Sequence, residues 1–381
     1  MKRTGYLWTQ VVAMDNLRQA VEEANRNLRP YRRVQVSDEQ LVLLREQLIT
    51  HTWRPSPFRH RTICEKKERH LLTTPVYPDH IVHHAMMQVI RPLIDRVLTY
   101  NTHSCITDRG ITACKRQTES IIRSFRSARM LYALQTDVCK FYESIDNSIM
   151  KQSIRRIIKD PDLLWLIDLL IDSSRGLPIG SYYSGYFSNL YMAPLMHYIN
   201  ETMPYDTQRA LGMDIRPRIK AVEYADDIAL ISDDKQSLHM ARQFIARYLT
   251  DHLHLNMKPN WQVFLVAESR SSRTPGRPID FVGFCFYRRH TTLRKGIKKN
   301  LARKVSEVRR QLRSDAAWQN GRINRSQFLN IKRKISPWLG WIYETTSANL
   351  MKKVIINPLK LQTYESKLRS QALHHGGCRR R

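Results

Sequence analysis

The stretch "AVEYADDIALIS" (residues 221–232) sets two adjacent carboxylates, Asp226 and Asp227, between two short apolar runs. Like charges side by side repel each other, and apolar residues on both sides hold these two in place instead of leaving them in a solvated loop. Such a pair is stable where a divalent cation shares its charge. A third carboxylate, Asp137, closes another apolar run in "MLYALQTDVCKFYESID" (130–146). If the two runs are neighbouring strands, all three carboxylates reach one point. Oxygen-only ligands suit Mg²⁺, with Mn²⁺ as the alternative. Two such ions about 3.5–4 Å apart activate a 3′-hydroxyl for attack and stabilise a leaving pyrophosphate. The chemistry these residues point to is nucleotidyl transfer.

Positioning such a site requires a rigid frame, and the flanking patterns supply one. Val222 and Tyr224 lead into the aspartate pair and Ile228 to Ile231 lead out, which predicts a hairpin with the carboxylates at its tip. "SDDKQSLHMARQFIARYL" then reads as a helix with Ser232 as N-cap and the stripe Leu238, Ala241, Ile245 and Leu249. The apolar run before Asp137 predicts a buried strand, followed by a helix over "DNSIMKQSIRRIIKD". "WQVFLV" and "IDFVGFCF" flank the Pro/Gly/Ser-rich "AESRSSRTPGRP" and predict a second hairpin. Near the N-terminus, "SDEQLVLLREQLITHTW" carries a capping box, Ser37 with Gln40, ahead of a Leu41, Leu44, Leu48 stripe. The expected fold class is α+β, with an antiparallel sheet covered by helices on one face.

Charge names the partner. The 63 Lys and Arg against 34 Asp and Glu leave a formal net charge of +29, which calls for a polyanion such as nucleic acid. A hydrophobic fraction of 42% excludes a disordered chain. Between Arg288 and Arg313 there are eleven Lys or Arg and a single Glu, the pattern of a helix that tracks phosphates, with Arg294, Lys295, Lys298 and Lys299 at its start. Six scattered cysteines, without a CxxC pair, signal neither a zinc site nor a disulfide framework. With no signal-peptide pattern and no run of about 18 apolar residues, the expectation is a soluble, cytoplasmic protein that does not enter a membrane.

At "YADD" and "DVCKFYESID" the residues resemble the two catalytic boxes of reverse transcriptases. The resemblance extends over residues 60 to 290: "KKERHLLTTPVYPDHIVHHAM" and "SCITDRGITACKR" look like the fingers motifs, "LPIGSYYSGYFSNLYM" like the fourth, "LNMKPNWQVF" like the sixth and "IDFVGF" like the primer grip. It implies a right-hand polymerase: an N-terminal helical segment (1–59), fingers and palm (60–287), and a basic helical thumb and tail (288–381). It also implies roles. Asp137, Asp226 and Asp227 would hold two Mg²⁺ ions, or Mn²⁺, and Tyr142 would be the steric gate against a 2′-hydroxyl. Lys67 and Arg69 would bind the incoming triphosphate, with Ile179 and Gly180 beside its sugar, and Lys258 would be the general acid for pyrophosphate release. His80, His83 and His84 fall in a fingers motif, where packing is expected of them and not metal binding.

Most reverse transcriptases have Gln before the Gly of the fourth motif, whereas this chain has Ile179. An aliphatic residue there resembles the reverse transcriptases of diversity-generating retroelements, although Gly185 stands where that group has Gln. "SPWLGWIYETTSANLMKKV" resembles the thumb of the same group. The resemblance implies error-prone copying of a template-repeat RNA for mutagenic retrohoming, with template RNA, a cDNA or primer duplex, dNTPs and a small basic ring-forming accessory protein as partners. The alternatives are a retron or phage-defence reverse transcriptase, a group II intron maturase, disfavoured by the missing Gln and extra domain, and an RNA-binding scaffold with a relict polymerase fold.

Overall fold

The computed structural model describes residues 3–368 apart from 27, 65–67, 271–274, 314–315, 321–322, 346–347, 365 and 367. Met1–Cys114 with Leu134–Val263 form one compact unit, and Lys115–Ala133 with Phe264–Arg381 a second. Among the described residues no helix is long and apolar enough to cross a membrane, and Cys105, Cys114, Cys139 and Cys285 are free thiols.

Strands β1 (Arg59–Cys64) and β2 (Glu68–Thr73) pair antiparallel, Arg59 opposite Thr73 and Cys64 opposite Glu68. A four-stranded sheet follows from β3 (Tyr132–Thr136), β4 (Lys220–Tyr224), β5 (Asp227–Ser232) and β6 (Gln262–Leu265), in the order β4-β5-β3-β6. The order answers the first question posed by the sequence, because the strand leaving the aspartate pair lies directly beside the strand that ends at Asp137. Ile228 to Ser232 are all buried, so β5 is covered on both faces and not on one as expected. A strand buried on two faces reads as a continuous apolar run, as "IALI" does.

Helices supply the packing. Those at Ile81–Asp95 and Ser184–His197 bury residues around most of their circumference, which marks them as interior helices. Asp38–Ile49 begins at the expected capping box: Ser37 Oγ accepts from Gln40 N and Gln40 Oε1 accepts from Ser37 N, while Leu41, Leu44 and Leu48 face inward.

Three expectations need correction. The helix after the β4–β5 hairpin spans Lys235–Leu253 and is capped by Asp234, whose carboxylate accepts from Ser237 N at 2.7 Å. Ser232 is instead the last residue of β5, and its stripe Leu238, Ala241, Ile245 and Leu249 is buried as expected. "WQVFLV" and "IDFVGFCF" do not form one hairpin. The first supplies β6, while the second folds on itself into β7 (Ile279–Phe281) and β8 (Phe284–Phe286), to which β9 (Thr291–Leu293) adds an outer strand. The reversal is made by Val282 and Gly283, both at positive φ, and a Cβ on Gly283 would sit 2.6 Å from the Trp341 ring. Because β9 occupies the start of the basic stretch, its helix begins only at Lys295 and runs to Gln311.

Candidate active site

The β4–β5 register pairs Tyr224 with Asp227, which leaves Ala225 and Asp226 as a two-residue turn. Ala225 has φ +56°, a region that L residues enter at a penalty of about 1–3 kcal/mol. The strain is met because strands buried on both sides fix the turn, and it presents Asp226 at the tip.

Asp137 follows β3 and is tied down from the other side. Lys258 N donates to Asp137 O at 2.8 Å and Cys139 N to Asn256 O at 2.8 Å, a short antiparallel bridge centred on Val138 and Met257. That bridge delivers the Lys258 side chain to Asp137, where Nζ donates to Oδ2. Asp137 Oδ1 is buried without a hydrogen-bond partner among the described residues. Burial pushes the Asp226 carboxyl well above the usual carboxylate range, and the adjoining Asp137, then Asp227, push it the same way. Burial pulls the Lys258 ammonium down, but its bond to Asp137 and the charges of Asp137, Asp226 and Asp227 outweigh this and raise it.

Two carboxylates pressed together with a buried, unpartnered oxygen need positive charge, and Lys258 supplies part of it. The donors are carboxylate oxygens, the set that hard divalent cations take. Asp137 and Asp226 fit a divalent ion on these grounds. Asp227, exposed at the start of β5, contributes charge. Among the described residues no three His, Cys, Asp or Glu side chains converge as a ready-made metal cluster.

The neighbouring wall comes from the "GLPIG" loop. Leu177 N donates to Tyr142 O at 2.8 Å, and Ile179 O accepts from Leu72 N of β2 at 2.8 Å. Two glycines permit these approaches. A Cβ on Gly176 would lie 2.3 Å from Tyr142 O, and one on Gly180 2.8 Å from Leu72 O, both at positive φ. Ile179, Gly180, Tyr142 and β2 are thereby one constellation. Arg69 lies in β2 opposite Ile63, while Lys67 lies outside the described residues. Burial raises the Tyr142 hydroxyl pKa, a bond to Ser188 opposes this, and the charges of Cys105 and Asp226 add to the rise. Tyr142 is therefore within electrostatic reach of the turn carboxylate.

Sequence reasoning missed Cys105 and Ser188. Ser188 Oγ donates to Gly185 O at 2.9 Å and contacts Tyr142 Oη at 3.4 Å. Cys105, at φ +54°, points its sulfur at Gly185, where a Cβ would lie only 2.5 Å from Sγ. At Gly185, where the resemblance leads one to expect Gln, a longer side chain would first have to displace this sulfur. Cys105 lies in the motif stretch "SCITDRGITACKR", but nothing in that stretch marks it as a neighbour of Gly185. His83 sits edge-on to Tyr183 (4.9 Å) and His84 stacks on Tyr182 (3.8 Å), with burial pushing their pKa values down to about 3 and about 4. They pack, as expected.

In the second unit, Arg294 precedes the Lys295–Gln311 helix and pairs with Asp280 at 2.5 Å. Lys295 and Lys299 are exposed, and burial lowers Lys298, which is half-buried.

The profile of the family described as reverse transcriptase (RNA-dependent DNA polymerase) matches residues 65–285. Among solved structures, apo telomerase from Candida tropicalis is 10% identical, with a TM-score of 0.51 over 84% of this chain and 60% of that one. Telomerase from Candida albicans in complex with a TWJ fragment of telomeric RNA is also 10% identical, with a TM-score of 0.46 over 84% and 60%. The likeness to the first is one of fold alone, and the chain spans about 60% of the length of these structures. No functionally curated protein matches the sequence. The fold is the right-hand polymerase class expected from the sequence.

Proposed function

The chain belongs to the reverse transcriptase family, and from that premise we propose that it copies RNA into DNA at the turn between β4 and β5. The observation that carries this reading is the meeting of Asp137, Asp226 and Lys258 from three separate segments. Asp137 and Asp226, with Asp227, would hold divalent cations, Mg²⁺ or Mn²⁺, which when bound acidify the primer 3′-hydroxyl and neutralise the triphosphate. Lys258, kept protonated by its carboxylate neighbours, would give a proton to the departing pyrophosphate. Tyr142, backed by Ser188, would exclude a 2′-hydroxyl. Ile179, Gly180, Lys67 and Arg69 would line the triphosphate and sugar, and the helix from Lys295 would bind the duplex.

Asp226→Asn removes charge and keeps shape, so primer extension on an RNA template with Mg²⁺ should be abolished while RNA binding stays nearly intact. Extension at the wild-type rate would overturn the assignment. The same assay tests the scaffold alternative, which requires that the wild type not extend a primer.

We further propose that the enzyme serves a diversity-generating retroelement, making error-prone cDNA with the help of a small basic accessory protein. Ile179 supports this. Without an amide at that position the incoming sugar lacks a hydrogen bond worth about 0.5–1.5 kcal/mol, enough for several-fold changes in selectivity. A loosely held sugar narrows the gap between right and wrong insertion. The expected result is frequent misincorporation opposite template adenine by the wild type, and less by Ile179→Gln. Uniformly accurate wild-type cDNA, with accessory protein present, would move the chain to the retron or defence group.

A further inference from the structure

A cavity of about 800 Å³ lies entirely within the second unit, where Arg123 and Arg126, Glu268, and the turn Tyr287 to His290 converge. None of the residues assigned to catalysis lines it. Its charges are arranged as a built surface. Glu268 accepts from Arg288 at 2.7 Å and from Arg289 at 3.2 Å, which holds two guanidinium groups side by side. Arg288 is fixed further by donating to the carbonyls of Ala128 (2.6 Å) and Arg129 (3.2 Å), and its side chain is only 15% exposed. The other lining carboxylate, Glu119, is taken by Lys115 at 3.1 Å. Arg123 and Arg126 are exposed and have no ion pair among the described residues. Both carboxylates are therefore satisfied, and the cavity keeps unspent positive charge.

An aromatic face adjoins that charge. The Tyr287 and His290 rings stack at 4.7 Å with an interplanar angle of 11°, closing the turn together with Tyr287 N donating to His290 O. Guanidinium groups beside a ring platform recognise phosphate next to a flat heterocycle. The volume falls within the ~300–1,000 Å³ of pockets that enclose a small ligand or a nucleotide, too small to admit a duplex.

We propose that this cavity binds a single-stranded nucleic-acid segment, a base against the Tyr287–His290 pair and flanking phosphates on Arg123 and Arg126. It is a second site that holds nucleic acid outside the copied stretch, and it does not depend on the catalytic reading.

The test uses the full chain and a fluorescent ten-nucleotide oligouridine carrying one 4-thiouridine, with a parallel oligothymidine arm to separate RNA from DNA. Arg123→Gln with Arg126→Gln should lower the salt slope of binding by roughly 1.4, at about 0.7 per lost phosphate contact. Between 50 and 200 mM salt the wild type should then lose about sevenfold more affinity than the variant. Photocrosslinks of the wild type should map to the peptide holding Tyr287 and His290. Unchanged affinity and slope would overturn the proposal, as would crosslinks that map only elsewhere. Tighter binding of a polyglutamate peptide than of either oligonucleotide at equal salt would assign the cavity to an acidic protein and overturn it too. Extension of a short preformed primer–template should be equal in the two proteins.

Discussion

Gly185 and Cys105 make a sharp test of the site's packing. Gly185 is the second residue of the Ser184–His197 helix, where replacing Gly by Ala would ordinarily gain up to about 1 kcal/mol. Here the new Cβ would lie 2.5 Å from Cys105 Sγ and 3.1 Å from its Cβ. Cys105 is exposed, so its sulfur can swing aside, but its own φ of +54°, a confined region for an L residue, holds the backbone that carries its Cβ. Overpacking of this kind costs about 1–3 kcal/mol, so the clash outweighs the helix gain and Gly185→Ala should destabilise. Cys105→Gly removes the sulfur and suits the positive φ. In that background the same Gly185→Ala should become stabilising by about 0.5–1 kcal/mol. A double-mutant cycle by urea unfolding isolates the coupling, expected at about 1–3 kcal/mol. Ser188 links Gly185 O to Tyr142 Oη, so the single Gly185→Ala change should also alter discrimination between ribo- and deoxynucleotides, and Cys105→Gly should restore it. Gly185→Ala having the same sign of effect in both backgrounds would refute the reasoning.

Two further expectations concern charge. Cations in the first turn of the Lys295–Gln311 helix oppose its dipole, an unfavourable arrangement unless phosphates meet them. Neutralising Lys295, Lys298 and Lys299 should lower the salt slope of primer–template binding by roughly 2–3, and should slightly raise Tm; an unchanged slope would leave only a solvated face. Arg294, already paired with Asp280, should add less. Glu223, fully buried and bonded to Thr102 Oγ1 at 2.7 Å, is pushed up by burial to about 8 from 4.5. Its folded pKa exceeds the unfolded one, so the unfolded chain holds fewer protons across that window and stability falls as pH rises through it. Glu223→Gln should remove this slope, its advantage in Tm growing from pH 5 to pH 8; parallel curves for the two proteins would exclude the burial effect.

How much of this was legible in the sequence depends on the range of the forces involved. The hairpin carrying Asp226 and Asp227 and the strand before Asp137 are written in local apolar runs, and the sheet order then brings them together. The capping box at Ser37 is likewise a four-residue signal. At Ser232 the local pattern misled, because three polar residues, Ser232, Asp233 and Asp234, compete for one cap. The tertiary sheet claims the first, and Asp234 has the geometry to reach Ser237 N. The second hairpin departs from expectation for a similar reason: two apolar runs around a polar turn fit pairing by composition, whereas the reversal is set by positive φ at Val282 and Gly283, packed against Trp341 some sixty residues on.

The pair at Gly185 lies furthest beyond sequence reading. Neither Cys105 nor Gly185 carries a charge or a periodic pattern that foretells the other, and eighty positions separate them. Their fit is a matter of one sulfur atom in the volume of one side chain, a constraint that exists only once the segment holding Cys105 and the Ser184–His197 helix have packed. The carboxylates at the turn could be inferred because repulsion between like charges demands an explanation wherever it occurs. A missing side chain makes no such demand until its neighbour is seen, which is why the carboxylates proposed for catalysis are legible in the sequence and the Cys105–Gly185 contact is not.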